Sequence, residues 1–298
     1  MHKIILFYIF RPIKDPLAIQ LWQRTLTESL HLKGRIIISE HGINGILGGQ
    51  EDELKKYVKN NKTYDQFRDI SYKWSDGTGQ DFPRLSVKVR DEIVTFGLKD
   101  ELKVNHHGVV GGGQHLTPQQ VHDLLKKKKS KVVFFDGRNQ YEAATGHFKN
   151  AVIPAVNYTR EFKDELKKSK YNYLKDKTII TYCTGGIRCE ILTVLMKKYG
   201  FKDVYQIDGG IEKYGSIYGD NGYWQGSMYT FDGRMGLKFS FKGQDIANCY
   251  HCQNKTSNYA NCSNKKCNKL LIICPDCQDK NLFCSLSCQE KKLQPING

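Results

Sequence analysis

Eight of the ten cysteines fall within residues 249–288, and no other feature restricts the chain so strongly. The spacing is Cys249-x2-Cys252-x9-Cys262-x4-Cys267-x6-Cys274-x2-Cys277-x6-Cys284-x3-Cys288. About forty residues with few large aliphatic side chains cannot bury enough apolar surface to offset their conformational entropy, so this tail needs crosslinks. Four close cysteine pairs match two tetrahedral sites of four thiolates each, the chemistry of structural zinc. The pairing stays open. Alternating pairs would join 249/252 with 274/277 and 262/267 with 284/288, sequential pairing is the alternative, and His251 is a spare donor. With all four positions of each site filled, none is left for substrate, so the expected role of about two zinc ions is structural.

Disulfides are not expected, because the chain reads as cytoplasmic. Residues 3–10 (KIILFYIF) are apolar, but Pro12 and charged residues follow instead of a small-residue cleavage site. No apolar run approaches the ~20 residues of a membrane span, so no membrane partner is expected.

The other two cysteines stand far upstream, in Cys183-Thr184-Gly185-Gly186-Ile187-Arg188-Cys189-Glu190. The run follows the strand pattern Thr178–Tyr182 and opens a helix expected over Ile191–Tyr199. Two glycines let consecutive N–H groups turn toward one centre, the helix end adds a positive dipole and Arg188 adds a full charge. A thiolate at Cys183 is stabilised there, and a persulfide would be stabilised in the same way.

A length of 298 residues allows two or three domains. The first hundred residues read β-α-β-β-α-β, the order of a ferredoxin-like sandwich: a strand over Lys3–Arg11, a helix capped by Asp15 with Leu17, Leu21, Leu26 and Leu30 as its apolar side, strands at Arg35–Ser39 and beyond Gly42, a helix over Glu51–Asn60, and a strand at Asp69–Trp74. Leu85–Val89 alternates again and either adds an edge strand or leads out of the domain. Residues 105–115 (NHHGVVGGGQH) read as a linker. Beyond it, strands at Val132–Asp136, Thr178–Tyr182 and Val204–Ile207 alternate with helices, which implies a parallel α/β sheet with Cys183 at a strand's carboxyl end, where such sheets bind ligands. The expected division is 1–104, linker 105–115, 116–225 and a tail at 226–298.

The net charge is +15, of which residues 101–242 carry +9, so a polyanion is the expected partner. The run Lys126, Lys127, Lys128 and Lys129 is the candidate RNA contact. Tyr158, Arg160, Tyr171, Tyr173 and Tyr182 mix aromatic and basic groups as RNA surfaces do.

The Cys183 segment resembles the active loop of rhodanese domains, in which a cysteine carries a persulfide. Val133–Arg138 (VFFDGR), Glu142–Phe148 (EAATGHF) and Asp208-Gly209-Gly210-Ile211 resemble further rhodanese stretches, which makes Asp136, Arg138, Glu142 and His147 supporting residues. Cysteine phosphatases of the related fold need one more residue between cysteine and arginine than the four between Cys183 and Arg188, so sulfur chemistry is favoured. Together with His41–Gly49 (HGINGILGG), Phe82–Gly97 (FPRLSVKVRDEIVTFG) and the cysteine-rich tail, the chain resembles the bacterial rhodanese-related tRNA uridine hydroxylases over essentially its whole length. His41 and Gly137 depart from that family's usual residues. The resemblance implies an acylphosphatase-like, ferredoxin-like N-terminal domain, a rhodanese domain and oxygen-dependent formation of 5-hydroxyuridine at position 34 of tRNA. By analogy Cys183 is the nucleophile or persulfide carrier, Thr184, Gly185, Gly186 and Ile187 form its cradle with Arg188, and Cys189 is a resolving or second catalytic thiol. The alternatives are a persulfide sulfurtransferase acting on a small thiol or a protein, and an RNA-binding protein without catalysis. Molecular oxygen is the expected cosubstrate. No flavin fingerprint or other organic-cofactor motif and no 2-His-1-carboxylate set is recognisable.

Overall fold

A computed structural model of the chain describes residues 1–128 and 131–293. The elements run β1 (His2–Phe10), α1 (Pro16–Ser29), β2 (Lys33–Ser39), β3 (Gly42–Gln50), α2 (Glu51–Asn61), β4 (Ser71–Asp76), β5 (Leu85–Val89), β6 (Val104–Asn105), β7 (Gly108–Val109), β8 (Gln114–Leu116), α3 (Pro118–Lys128) and β9 (Val132–Asp136). Then follow α4 (Gln140–Ala144), β10 (Gly146–Phe148), α5 (Phe162–Glu165), β11 (Thr178–Tyr182), α6 (Ile187–Lys198), β12 (Asp203–Ile207), α7 (Gly210–Tyr218), β13 (Trp224–Gly226), β14 (Tyr259–Asn261), β15 (Leu270–Ile272), α8 (Pro275–Lys280) and α9 (Leu286–Leu293).

The first sheet has the order β4-β1-β3-β2-β5, antiparallel except for the parallel β2–β5 pair. This is the expected ferredoxin-like, acylphosphatase-like architecture with its extra edge strand. Asp15 caps α1 by accepting from the N–H groups of Leu17 and Ala18, with Pro16 in the first turn. The apolar side expected for this helix is corrected in its first half only, since Leu26 and Leu30 do pack against the core. Leu17 and Leu21 are exposed, while Ile19, Gln23 and Thr27 face the sheet. Gln23 is fully buried because its amide is satisfied: its Nε2 donates to Asn61 (2.6 Å) and its Oε1 accepts from Tyr57 (2.6 Å).

β1 is apolar on both faces, as its unbroken run requires. Ile5 and Phe7 join Leu54 and Tyr57 in the core under the helices. On the opposite face Phe10 joins Ile93, Phe96 and Leu98 in a second core with Phe135, Leu192 and Leu195 of the following α/β segment. That segment is a parallel sheet of order β8-β12-β11-β9. Its edge strand β8 overlaps the end of the glycine-rich stretch.

The chain separates into two compact units, Met1–Gln140 with Asn150–Ile217, and Tyr141–Lys149 with the chain from Tyr218 onward. In the second unit β10 pairs with β13, and Tyr259 hydrogen-bonds to the carbonyl of Tyr141 (2.6 Å) and the hydroxyl of Thr145 (3.0 Å). The β14–β15 hairpin and α8 frame a small core of Cys249, Leu271, Ile273 and Cys274. Among the described residues no helix is long and apolar enough to cross a membrane.

Candidate active site

All five residues of β11 are buried, so the strand is held on both faces and delivers Cys183 at its carboxyl end. The helix begins earlier than the apolar periodicity implied: α6 starts at Ile187, which puts Arg188, Cys189 and Glu190 in its first turn. Gly186 precedes it with φ 102°, a conformation glycine adopts without the Cβ penalty of other residues. The Asp208-Gly209-Gly210 turn closes the loop from the other side. Ile211 N–H donates to the Cys183 carbonyl (2.9 Å) and Glu212 N–H to that of Thr184 (3.0 Å). A Cβ on Gly210 would sit 2.4 Å from the Cys183 carbonyl oxygen, so no side chain fits there.

The Cys183 sulfur accepts from the Gly186 N–H (3.2 Å), and the guanidinium of the buried Arg188 donates to Thr184 Oγ1 (3.2 Å). Burial pushes the Cys183 thiol up, but a hydrogen bond from Cys189, the charge of Arg188 and the N–H groups of Arg188 and Cys189 outweigh it and bring the thiol from 9.0 down to about 6. Cys189 moves the other way, pushed up by burial and by the Cys183 sulfur beside it. The loop therefore favours the anion on Cys183 and the protonated thiol on Cys189.

The N-terminal sheet faces this loop. A Cβ on Gly185 would lie 2.7 Å from Leu6 Cδ2, and one on Gly186 2.9 Å from the Tyr8 hydroxyl. The glycines thus admit β1 as well as curling the loop. Tyr8 donates to Glu190 Oε1 (3.0 Å), and His115 Nε2 lies 3.3 Å from Glu190 Oε2. Asp208, and after it Glu190, raise the His115 imidazole to about 9, so it is charged at neutral pH. A cleft of about 740 Å³ opens beside these groups, lined by Tyr8, Lys73, Trp74, His115, Glu190 and Lys213 among others. Its size falls in the ~300–1,000 Å³ range of ligand sites.

The other candidate residues are distributed differently. Asp136 and Arg138 are fully buried and pair with each other (Nη2–Oδ2 2.7 Å), while the intervening Gly137 N–H donates to the Tyr182 carbonyl (2.8 Å) just before Cys183. They brace the loop's entry strand and do not line the cleft. A Cβ on Gly137 would meet Leu192 (2.9 Å) and the Tyr182 carbonyl (3.0 Å), which accounts for glycine there. Glu142 and His147 belong to the second unit, where Glu142 is buried and His147 Nδ1 bonds the Ala143 carbonyl (3.0 Å). Lys128 is tied to Thr178 (3.1 Å) and Asp203 (2.9 Å), the first residues of β11 and β12. Lys128 accordingly lies at the amino ends of these strands, opposite the Cys183 loop. Lys126 and Lys127 are exposed, and Lys129 lies outside the described residues. Of the tyrosines in the aromatic–basic mix, Tyr171 and Tyr182 are core residues and Tyr158 and Tyr173 are exposed. Sequence reasoning missed Tyr8, Lys73, His115 and Glu190 as site residues. The only signal was β1's two apolar faces, which announce a second partner without naming it.

In the tail the sulfurs gather as Cys249, Cys252, Cys274 and Cys277, and as Cys262, Cys267, Cys284 and Cys288, each set within 4.8 Å. The alternating pairing is the one observed, and His251 belongs to neither set. Neighbouring sulfurs stand 3.5–3.6 Å apart, close to the ~3.8 Å edge of a tetrahedron with 2.3 Å metal–sulfur bonds. Each set can hold a metal ion.

Family comparison agrees with this layout. Residues 2–93 match the UPF0176 acylphosphatase like domain, 117–216 the Rhodanese-like domain and 225–289 the Rhodanase C-terminal domain. A protein of Corynebacterium kroppenstedtii named tRNA uridine(34) hydroxylase is 51% identical over 286 residues, covering 95% of this chain and 97% of that one. Proteins of the same name from Corynebacterium glutamicum (54% identical; 92% and 88% covered) and Rhodococcus jostii (53%; 93% and 97%) are similarly related. With three successive domain matches and half of all residues shared across nearly the full length of such relatives, this chain belongs to the tRNA uridine(34) hydroxylase family.

Proposed function

We propose that this chain hydroxylates C5 of uridine 34 in tRNA, with Cys183 as the nucleophile. The observation that carries the reading is a buried cysteine whose sulfur accepts from the Gly186 N–H (3.2 Å) at the start of a helix that also carries the buried Arg188, in a chain whose relatives bear that activity in their name. C5 of uracil is not nucleophilic enough to meet oxygen while the C5=C6 double bond is conjugated to the C4 carbonyl. Addition of the Cys183 sulfur to C6 turns C5–C4–O4 into an enolate, and molecular oxygen then reacts at C5. Release of Cys183 with the C5 proton restores the ring. Overall, uridine, O2 and two thiols become 5-hydroxyuridine, water and a disulfide, which balances in atoms and electrons. Cys189, hydrogen-bonded to Cys183, is suited to be one of those thiols.

The remaining residues take supporting parts. The N–H groups of the loop from Thr184 to Ile187, with Arg188, hold the anion. Asp136 and Arg138 fix the strand that carries it, Glu142 and His147 stabilise the adjoining segment, and Lys126–Lys129 contact RNA phosphates. We divide the chain into a domain at 1–104, a linker at 105–115, a rhodanese domain at 116–225 and a tail at 226–298. Zinc, when bound by the two four-cysteine sets, would crosslink that tail. On this reading the protein works in the cytoplasm, on tRNA.

The test gives purified protein unmodified tRNA under air and under nitrogen and measures nucleosides by mass spectrometry. 5-Hydroxyuridine is expected under air only, and Cys183→Ala is expected to abolish it while tRNA still binds. Equal product without oxygen, or rapid thiosulfate turnover with no tRNA product, would replace this reading with a persulfide sulfurtransferase.

A further inference from the structure

Lys73 lies on β4, on the sheet face shared with Leu6, its cross-strand partner, and with Tyr8. Its ammonium sits 4.0 Å from the point a Gly185 Cβ would occupy and 5.2 Å from the centre of the Tyr8 ring. Lys73 is half-buried and makes no hydrogen bond or ion pair among the described residues. Most lysines near carboxylates here behave otherwise: Lys213 pairs with Asp208 at 2.5 Å, and Lys128 with Asp203 at 2.9 Å. Burial pulls the Lys73 ammonium below its ordinary value, against the attraction of Glu212, Cys183 and Asp208. A partly desolvated cation with three unused donors, lining the cleft beside a thiolate loop, is a site waiting for an acceptor.

We propose that Lys73 is a catalytic residue that donates a hydrogen bond to O4 of the target uracil while the Cys183 sulfur adds to C6. This rests on the hydroxylase reading above. In the step a sulfur lone pair forms the S–C6 bond, the C5=C6 pair shifts to make C5=C4, and the C4 carbonyl pair moves onto O4. Nothing leaves, and the negative charge passes from sulfur to O4. A donor fixed at O4 therefore stabilises the adduct more than the free base, which is what accelerates a step. An ammonium only donates, so it matches O4 of uracil and not the amino group of cytosine. Cys183 is fully buried, so entry of the base requires Leu6 and Tyr8 to swing off the loop, which releases the Tyr8–Glu190 hydrogen bond and the contact of the Tyr8 ring with the Lys73 ammonium. The N-terminal domain thereby supplies part of the reaction site as well as surface for RNA.

The experiment uses full-length protein and tRNA carrying 5-fluorouridine at position 34, from which the C6 adduct cannot go on to product. Adducts are counted as covalent protein–RNA bands on denaturing gels, and affinity is measured separately by filter binding. Lys73→Met is expected to slow adduct formation by ~10²–10³-fold, with tRNA affinity within a factor of three, and Lys73→Arg is expected to recover part of the loss. Wild-type adduct rates in Lys73→Met overturn the proposal, and so does a loss that merely parallels weaker tRNA binding. Wild-type protein that binds this tRNA but never crosslinks overturns the addition step itself, a separate failure of the hydroxylase reading.

Discussion

Cys183 and Cys189 are equally inaccessible, each with no exposed surface. Differences in reactivity toward a small neutral reagent therefore report thiolate content. Hydrogen bonds and Arg188 hold Cys183 at about 6, while burial and the neighbouring sulfur push Cys189 up. At pH 7 Cys183 should alkylate with iodoacetamide much faster than Cys189, and its rate should rise through a midpoint near pH 6. Peptide mass analysis of timed samples checks this, and equal rates would mean that the loop does not stabilise an anion. The two residues sit six apart at the mouth and in the first turn of one helix, yet the field around them separates their chemistry.

At the scale of elements, the β14–β15 hairpin, α8 and α9 have little apolar surface of their own. Their shared core consists of Cys249, Ala260, Leu271, Ile273 and Cys274. Metal bound by four thiolates supplies on the order of 10 kcal/mol of folding free energy to such a segment. Freshly purified, reduced protein should carry about two zinc ions. A strong chelator should then unfold residues 249–288 while the parallel sheet around β11 persists, because that sheet is closed by Phe135, Ile179, Leu192 and Leu195 without metal. Elemental analysis with circular dichroism and limited proteolysis reads both parts. Metal-free protein with a protected tail would show that the cysteines do not need the ion.

Across the whole molecule, a charge of +15 would make the proposed tRNA binding an electrostatic event. Affinity should fall steeply with salt as condensed cations are released. Replacing Lys126 and Lys127 with Ala should weaken binding of any tRNA by a similar factor and reduce the salt slope by roughly one for each phosphate no longer neutralised. Hydroxylation at saturating tRNA should be unchanged, because the neighbouring Lys128 sits at the amino ends of β11 and β12, opposite the Cys183 loop. A change confined to one tRNA would indicate base contacts instead.

What was readable from the residues alone was local chemistry. Cysteine spacing called for two four-thiolate sites, the strand–Gly-Gly–helix run called for an anion cradle at Cys183, and the alternation of strands and helices gave both sheets. These signals survive in one dimension because the groups that cooperate are close in sequence. Other features arise only when distant segments meet. Spacing left the thiolate pairing open, because either closure satisfies the same eight ligands, and the hairpin of β14 and β15 selects the alternating one. Leu17 and Leu21 suggested part of the wrong face for α1, although Leu26 and Leu30 do pack on the core, because a buried Gln23 is tolerable only once Tyr57 and Asn61 from another helix satisfy its amide. Lys73 showed nothing in its own surroundings. It came to line the cleft when β1 and β4 were laid against a loop more than a hundred positions away, where a lysine loses water and gains an aromatic ring but no hydrogen-bond acceptor among the described residues.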